Sequence, residues 1–119
     1  RGDADTGVVI NIHFNGPATE ITLYNTVTRE SMAIDTAKVA TIAGSALKQG
    51  DDIIISTVKG GKYMRLLRNG AYTNIIAALN KDADWFQLTS GRNEFSFTAK
   101  TGEENLVITF NYRNAYGGV

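Results

Sequence analysis

Between Trp85 and Arg113 the apolar side chains fall on every second position: Phe86 and Leu88, then Phe95 and Phe97, then Leu106, Ile108, Phe110 and Tyr112. A period of two puts all of them on one side of a pleated chain, whereas a helix would scatter them around its axis. Gly91 and Gly102 punctuate the run. The stretch therefore predicts three strands, each with one buried face. No catalytic cluster stands beside them.

The same alternation recurs upstream. Val8 to Phe14 reads as a first strand with Ile10, Ile12 and Phe14 on one face and Asn11 and His13 on the other. Asn15-Gly16-Pro17 turns the chain, and Ile21 and Leu23 alternate in a second strand. Thr28-Arg29-Glu30 leads into a third, with Met32 and Ile34 inward. Thr36 to Ala46 is Ala-rich and compatible with a helical turn, but Thr41 and Gly44 oppose a long helix. A short strand or irregular segment is expected from Asp35 to Gln49. Gly50-Asp51 turns into the β-branched run Asp52 to Val58. Lys59-Gly60-Gly61-Lys62 predicts a hairpin with a tight two-residue turn, Tyr63 to Leu67 returns antiparallel, and Asn69-Gly70 predicts a second hairpin. Asn74 to Leu79 reads as one helical turn or as continued strand. Roughly nine or ten short strands at regular spacing predict an all-β fold, a two-sheet antiparallel β-sandwich.

A chain of 119 residues suits one domain, expected to span residues 1–119, with one core. With no cysteine there is neither a disulfide nor a thiolate metal site. Twelve basic residues balance twelve acidic ones. That lacks the basic excess of a nucleic-acid binder, and it weakens the self-repulsion that opposes association. No apolar run is long enough to span a bilayer as a helix. Neither nucleic acid nor membrane is expected as a partner.

The candidate chemical groups are sparse. Arg1-Gly2-Asp3 matches an integrin-binding tripeptide but reads as a polar lead-in. His13 is the sole histidine, placed mid-strand on the face opposite Ile12 and Phe14, where a solvent-facing or pairing role is expected. Asp51-Asp52 and Asp82-Ala83-Asp84 suit turns and caps, lacking the set spacing of a glycosidase pair or the alternating oxygens of a calcium loop. No catalytic residue, cofactor or metal is expected. His13-Phe14-Asn15 resembles part of the galectin sugar-binding signature. Gly16 stands where that signature has Pro, however, and Trp85 is followed by Phe86-Gln87-Leu88 rather than by an acid and an arginine. Ile54 between inward Ile53 and Ile55, and Trp85 beside inward Phe86, are expected to face outward. Exposed apolar area is expected to gather near one of them.

Taken in order, several segments resemble a known family. They are Gly2-Asp3-Ala4 with Thr6-Gly7, then Ile21 to Asn25 with Thr28-Arg29-Glu30, where Arg29 replaces a usual glycine. Gly50-Asp51-Asp52-Ile53-Ile54-Ile55-Ser56-Thr57 follows, with Ser56 in place of Asp, and then Asn69-Gly70 with Asn74-Ile75. Trp85-Phe86-Gln87-Leu88-Thr89-Ser90-Gly91-Arg92-Asn93 and the closing Tyr112-Arg113 with Tyr116-Gly117-Gly118-Val119 complete the set. Together they resemble the C-terminal domain of the distal tail protein of long-tailed, non-contractile bacteriophages.

The resemblance implies a galectin-like jelly roll belonging to a longer tail protein. That protein's N-terminal domain forms a hexameric hub ring, and its C-terminal domain docks neighbouring baseplate proteins. It implies a non-catalytic structural role in the virion at the tail tip, assembled in the host bacterial cytoplasm, with other tail or baseplate proteins as partners. A rival reading is a carbohydrate-binding module contacting host cell-wall glycan, using Tyr72 with Asn74 or Trp85 with Asp84. The interface or sugar-stacking candidates are Ile54, Tyr72, Trp85 and Tyr116.

Overall fold

The structure is a computed structural model that describes residues 7–87 and 93–112. Among the described residues there are eight strands and one α-helix. In chain order they are β1 (Val8–Phe14), β2 (Thr19–Asn25), β3 (Glu30–Ile34), α1 (Thr36–Ala43), β4 (Asp52–Ser56), β5 (Tyr63–Arg68), β6 (Ala71–Asn74), β7 (Phe95–Thr101) and β8 (Leu106–Tyr112). Single 3-10 turns at Ile76–Ala78 and Glu103–Asn105 follow β6 and precede β8. The strands form a five-stranded sheet ordered β6-β5-β4-β1-β8 and a three-stranded sheet ordered β3-β2-β7, with every pairing antiparallel. This is the expected all-β, two-sheet antiparallel sandwich.

Alternation does the folding work. In β1 the residues Val8, Ile10, Ile12 and Phe14 are wholly buried, and the residues between them are half-buried. Ile53, Ile55, Met64 and Leu66 extend that inner face, and Ile21, Leu23, Met32 and Ile34 oppose it from the smaller sheet. A one-residue slip in any of these strands would turn its apolar set into water, so the sequence pins the register. On the β7–β8 side Phe95 stacks on Phe110 at 4.3 Å between ring centroids, and Phe86 lies 5.6 Å from Phe95. These three rings join the two sheets.

Three local expectations are corrected. Residues 36–43 form a helix, not a strand or irregular segment. Asp35 caps it by accepting from the Lys38 amide at 3.1 Å, Val39 is buried beneath it, and Gly44 ends it in the left-handed region at φ 92°. The glycine that spoke against a long helix is the residue that stops a short one.

The β4–β5 connection is a hairpin, but Ser56 pairs with Tyr63, so six residues intervene rather than two. The reversal lies one position earlier than the Gly60-Gly61 pair implies, with the Gly61 amide donating to Val58 O at 2.8 Å. Trp85 to Gln87 are not strand, although Phe86 is wholly buried as expected. Buried Thr57 holds the segment instead, its hydroxyl donating to Phe86 O at 2.6 Å, while Gln87 Nε2 donates to Thr57 O at 2.8 Å. Leu88 to Arg92, Arg1 to Asp3 and Tyr116 lie outside the described residues. Asn74 to Leu79 is resolved in favour of one 3-10 turn over residues 76–78.

The free edge of β3 is closed without a further strand. Asn80 and Asp84 present side-chain oxygens to the Ala33 and Ser31 amides, at 3.0 Å each, and donate their own amides back to the same two residues. Such cover removes a template for unwanted strand addition.

The β2–β3 turn puts Arg29 at φ 65°, in the left-handed region, where the related motif has glycine. That conformation costs a non-glycine residue about 1–2 kcal/mol. The greater freedom of glycine in the unfolded chain offsets about 0.5–1 kcal/mol of this. Arg29→Gly is therefore expected to stabilise the fold by about 0.5–1 kcal/mol, read as a higher urea midpoint. An unchanged or lower midpoint would refute the strain.

Candidate functional site

The outer face of the five-stranded sheet carries three rows of side chains turned away from the core. Register fixes who stands beside whom. Val107, His13, Asp52, Leu67 and Tyr72 face one another in successive pairs across all five strands. The next row is Thr109, Asn11, Ile54, Arg65 and Asn74. A third holds Asn111, Val9, Ser56 and Tyr63.

At the two rims of the first row, Val107 is 52% exposed and Tyr72 is 63% exposed. Ile54 and Leu67, between them, are half-buried. This face thus carries large apolar side chains at both edges, with half-buried Ile54 and Leu67 between them.

The polar groups of the face are largely paired with each other. Asp52 accepts from Asn11 Nδ2 at 3.0 Å through one oxygen and bonds His13 Nδ1 at 2.9 Å through the other. His13 therefore has the pairing role expected of it. It has a carboxylate, but among the described residues no hydroxyl or thiol bonds its second nitrogen, so the pair lacks the nucleophile of a hydrolytic triad. Among the described residues no three His, Cys, Asp or Glu side chains gather where they could hold a metal ion. No described helix is long and apolar enough to cross a membrane.

The second polar cluster lies beneath the surface. Asp51, 1% exposed, accepts from Arg68 Nε at 2.9 Å and Arg68 Nη2 at 2.7 Å, and from the Lys48 amide at 2.9 Å. Burial pushes the Asp51 carboxyl up, but the hydrogen bonds from Arg68 and Lys48 and the charges of both outweigh it and hold the group below its ordinary value. The Asp51 hydrogen bond in turn raises Arg68, against burial. Arg68 also donates to Ser45 Oγ at 2.8 Å and Ala46 O at 3.1 Å, tying the loop after α1 to β5. This is a structural anchor. Sequence reading assigned Asp51 to a turn and missed its partner, because the two lie seventeen positions apart on different strands and loops.

Of the candidates named from sequence, the structure brings Ile54 and Tyr72 to one face. Trp85 is half-buried against the core, with Lys62 Nζ 5.6 Å from its ring centroid. Its exposed neighbour Asp84 accepts from the Ser31 amide at 3.0 Å through Oδ2. Tyr72 and Asn74 do share a face of β6, opposite Leu67 and Arg65. Val107, Leu67 and Arg65 were overlooked in the sequence. The alternation that turned Ile54 outward applies equally to Val107 between Leu106 and Ile108.

No match is found among curated proteins or among solved structures. The family model for the siphovirus-type tail component, C-terminal domain, matches residues 1–116. Its span includes both sheets and the whole outer face, and the chain belongs to that family.

Proposed function

We propose that the chain is a single non-catalytic docking domain of a bacteriophage tail tip or baseplate hub, binding neighbouring tail proteins through the outer face of its five-stranded sheet. One observation carries this reading: the row from Val107 to Tyr72 exposes large apolar side chains at both rims, flanking the paired His13 and Asp52 at its centre. Within a full-length tail protein a hexameric arrangement would set several such faces around the tail axis. The virion tail is the site of action, after assembly in the host cytoplasm.

The test is a phage carrying Tyr72→Asp and Val107→Asp together. Both positions are exposed, so the chain is expected to fold with its stability changed by less than about 1 kcal/mol. A buried, unpaired charge at an interface should weaken docking by about a hundredfold or more, seen as loss of the chain from purified tails. Normal incorporation of the folded double variant would sink the reading.

Carbohydrate binding is favoured by one feature, exposed Tyr72 beside Asn74 with Arg65 opposite. Asn74 Oδ1 accepts from the Ile76 amide at 3.0 Å, which leaves its Nδ2 as the group for a sugar hydroxyl. An exposed aromatic next to hydroxyl-pairing groups is what a sugar ring requires. A glycan array with the purified chain decides it. Specific binding lost in Tyr72→Ala but kept in Trp85→Ala would support that role, and a blank array would remove it.

A further inference from the structure

The third row of the outer face ends in a small pocket. Val9, Ser56, Val58, Gly61 and Tyr63 line about 270 Å³ of space. That is below the range of most small-molecule sites and suits one side chain of a partner. Tyr63 has a second role, because the Arg65 guanidinium lies 3.8 Å from its ring centroid. The guanidinium is therefore held against the ring that lines the pocket, a contact to the π face that does not consume its N–H donors.

Among the described residues the Arg65 side chain makes no hydrogen bond and no ion pair. The one carboxylate on the sheet strands of this face, Asp52, has both oxygens engaged by Asn11 and His13. A preorganised, unneutralised guanidinium beside an apolar pocket is complementary to an apolar side chain flanked by a carboxylate. We infer that this pocket and Arg65 receive a protein segment in which a Leu- or Phe-like side chain stands next to Asp or Glu. The inference rests on the docking reading and adds the chemistry of the partner.

The test uses the isotope-labelled 119-residue chain and two synthetic peptides. One carries Leu next to Asp-Glu, and the other has Asn-Gln in their place. The acidic peptide is expected to shift the amide signals of Val9, Ser56, Val58 and Tyr63, and to bind about tenfold more tightly than its neutral counterpart. Arg65→Gln should remove the difference between the peptides, while Arg65→Lys keeps part of it. The Arg65 side chain is exposed and makes no hydrogen bond among the described residues, so both variants should retain the wild-type spectrum away from Tyr63.

Equal binding of the two peptides to the unmodified chain overturns the inference, as does no shift at these four residues. Displacement of the acidic peptide by a single-stranded oligonucleotide that binds more tightly at the same residues overturns it too. The docking reading is judged separately by incorporation of the Tyr72→Asp, Val107→Asp double variant. Failed incorporation with silent peptides sinks only the inference, and normal incorporation with bound peptide sinks only the docking reading.

Discussion

Arg68→Ala is expected to destabilise the fold by about 3–5 kcal/mol at neutral pH, the typical cost of leaving one member of a buried ion pair without its partner. The Asp51 side chain is 2% exposed and that of Arg68 13% exposed, so solvent cannot replace the lost guanidinium. The loop after α1 also loses its tie at Ser45 and Ala46.

The pH dependence separates this mechanism from simple loss of packing. In the native chain Asp51 titrates below its ordinary value, so its contribution is full above the unfolded carboxylate range. That contribution is lost as pH falls through the unfolded value toward the lower folded one. In Arg68→Ala burial acts unopposed by the guanidinium, and the variant should gain relative stability on acidification. Urea unfolding at about pH 7 and about pH 3 should show the gap between the two proteins narrowing at the lower pH. A gap independent of pH would mean that the pair contributes packing and not charge.

Phe86→Ala is expected to cost about 3–5 kcal/mol, the range for deleting a wholly buried aromatic ring. Phe86 is 0% exposed and its ring joins Phe95 and Phe110 between the sheets. Phe86→Leu refills most of the space and should cost less than about 2 kcal/mol. Chemical denaturation of the two variants checks both figures, and a loss under about 1 kcal/mol for the alanine variant would place the ring outside the core.

Phe86 also shows how far the sequence could be read. Its burial followed from period-two spacing, but its strand did not form among residues 85–87, because Thr57 and not a ladder holds the segment. The inner faces of β1, β2, β3 and β4 were legible for the same reason: alternation states which side is buried whatever the partner strand.

What alternation cannot state is which strands become neighbours. The row from Val107 to Tyr72 exists only because β8 pairs with β1 and β6 with β5. Ile54 and Tyr72 were found as individuals, and their common face was not. Trp85 drew attention as an aromatic on the wrong side of an expected strand, and that argument lapsed with the strand. The helix was obscured because Thr41 and Gly44 weigh against length, while the Asp35 cap and buried Val39 that stabilise eight residues are tertiary and local features of small signal.

Electron cryo-microscopy of the assembled tail tests the central claim most directly. The account requires the sheet face bearing Val107, Ile54, Leu67 and Tyr72 to be covered by a neighbouring tail protein, with Arg65 meeting a carboxylate beside the Tyr63 pocket. A face left in solvent, with the domain held to the tail through its smaller sheet or not at all, would contradict it.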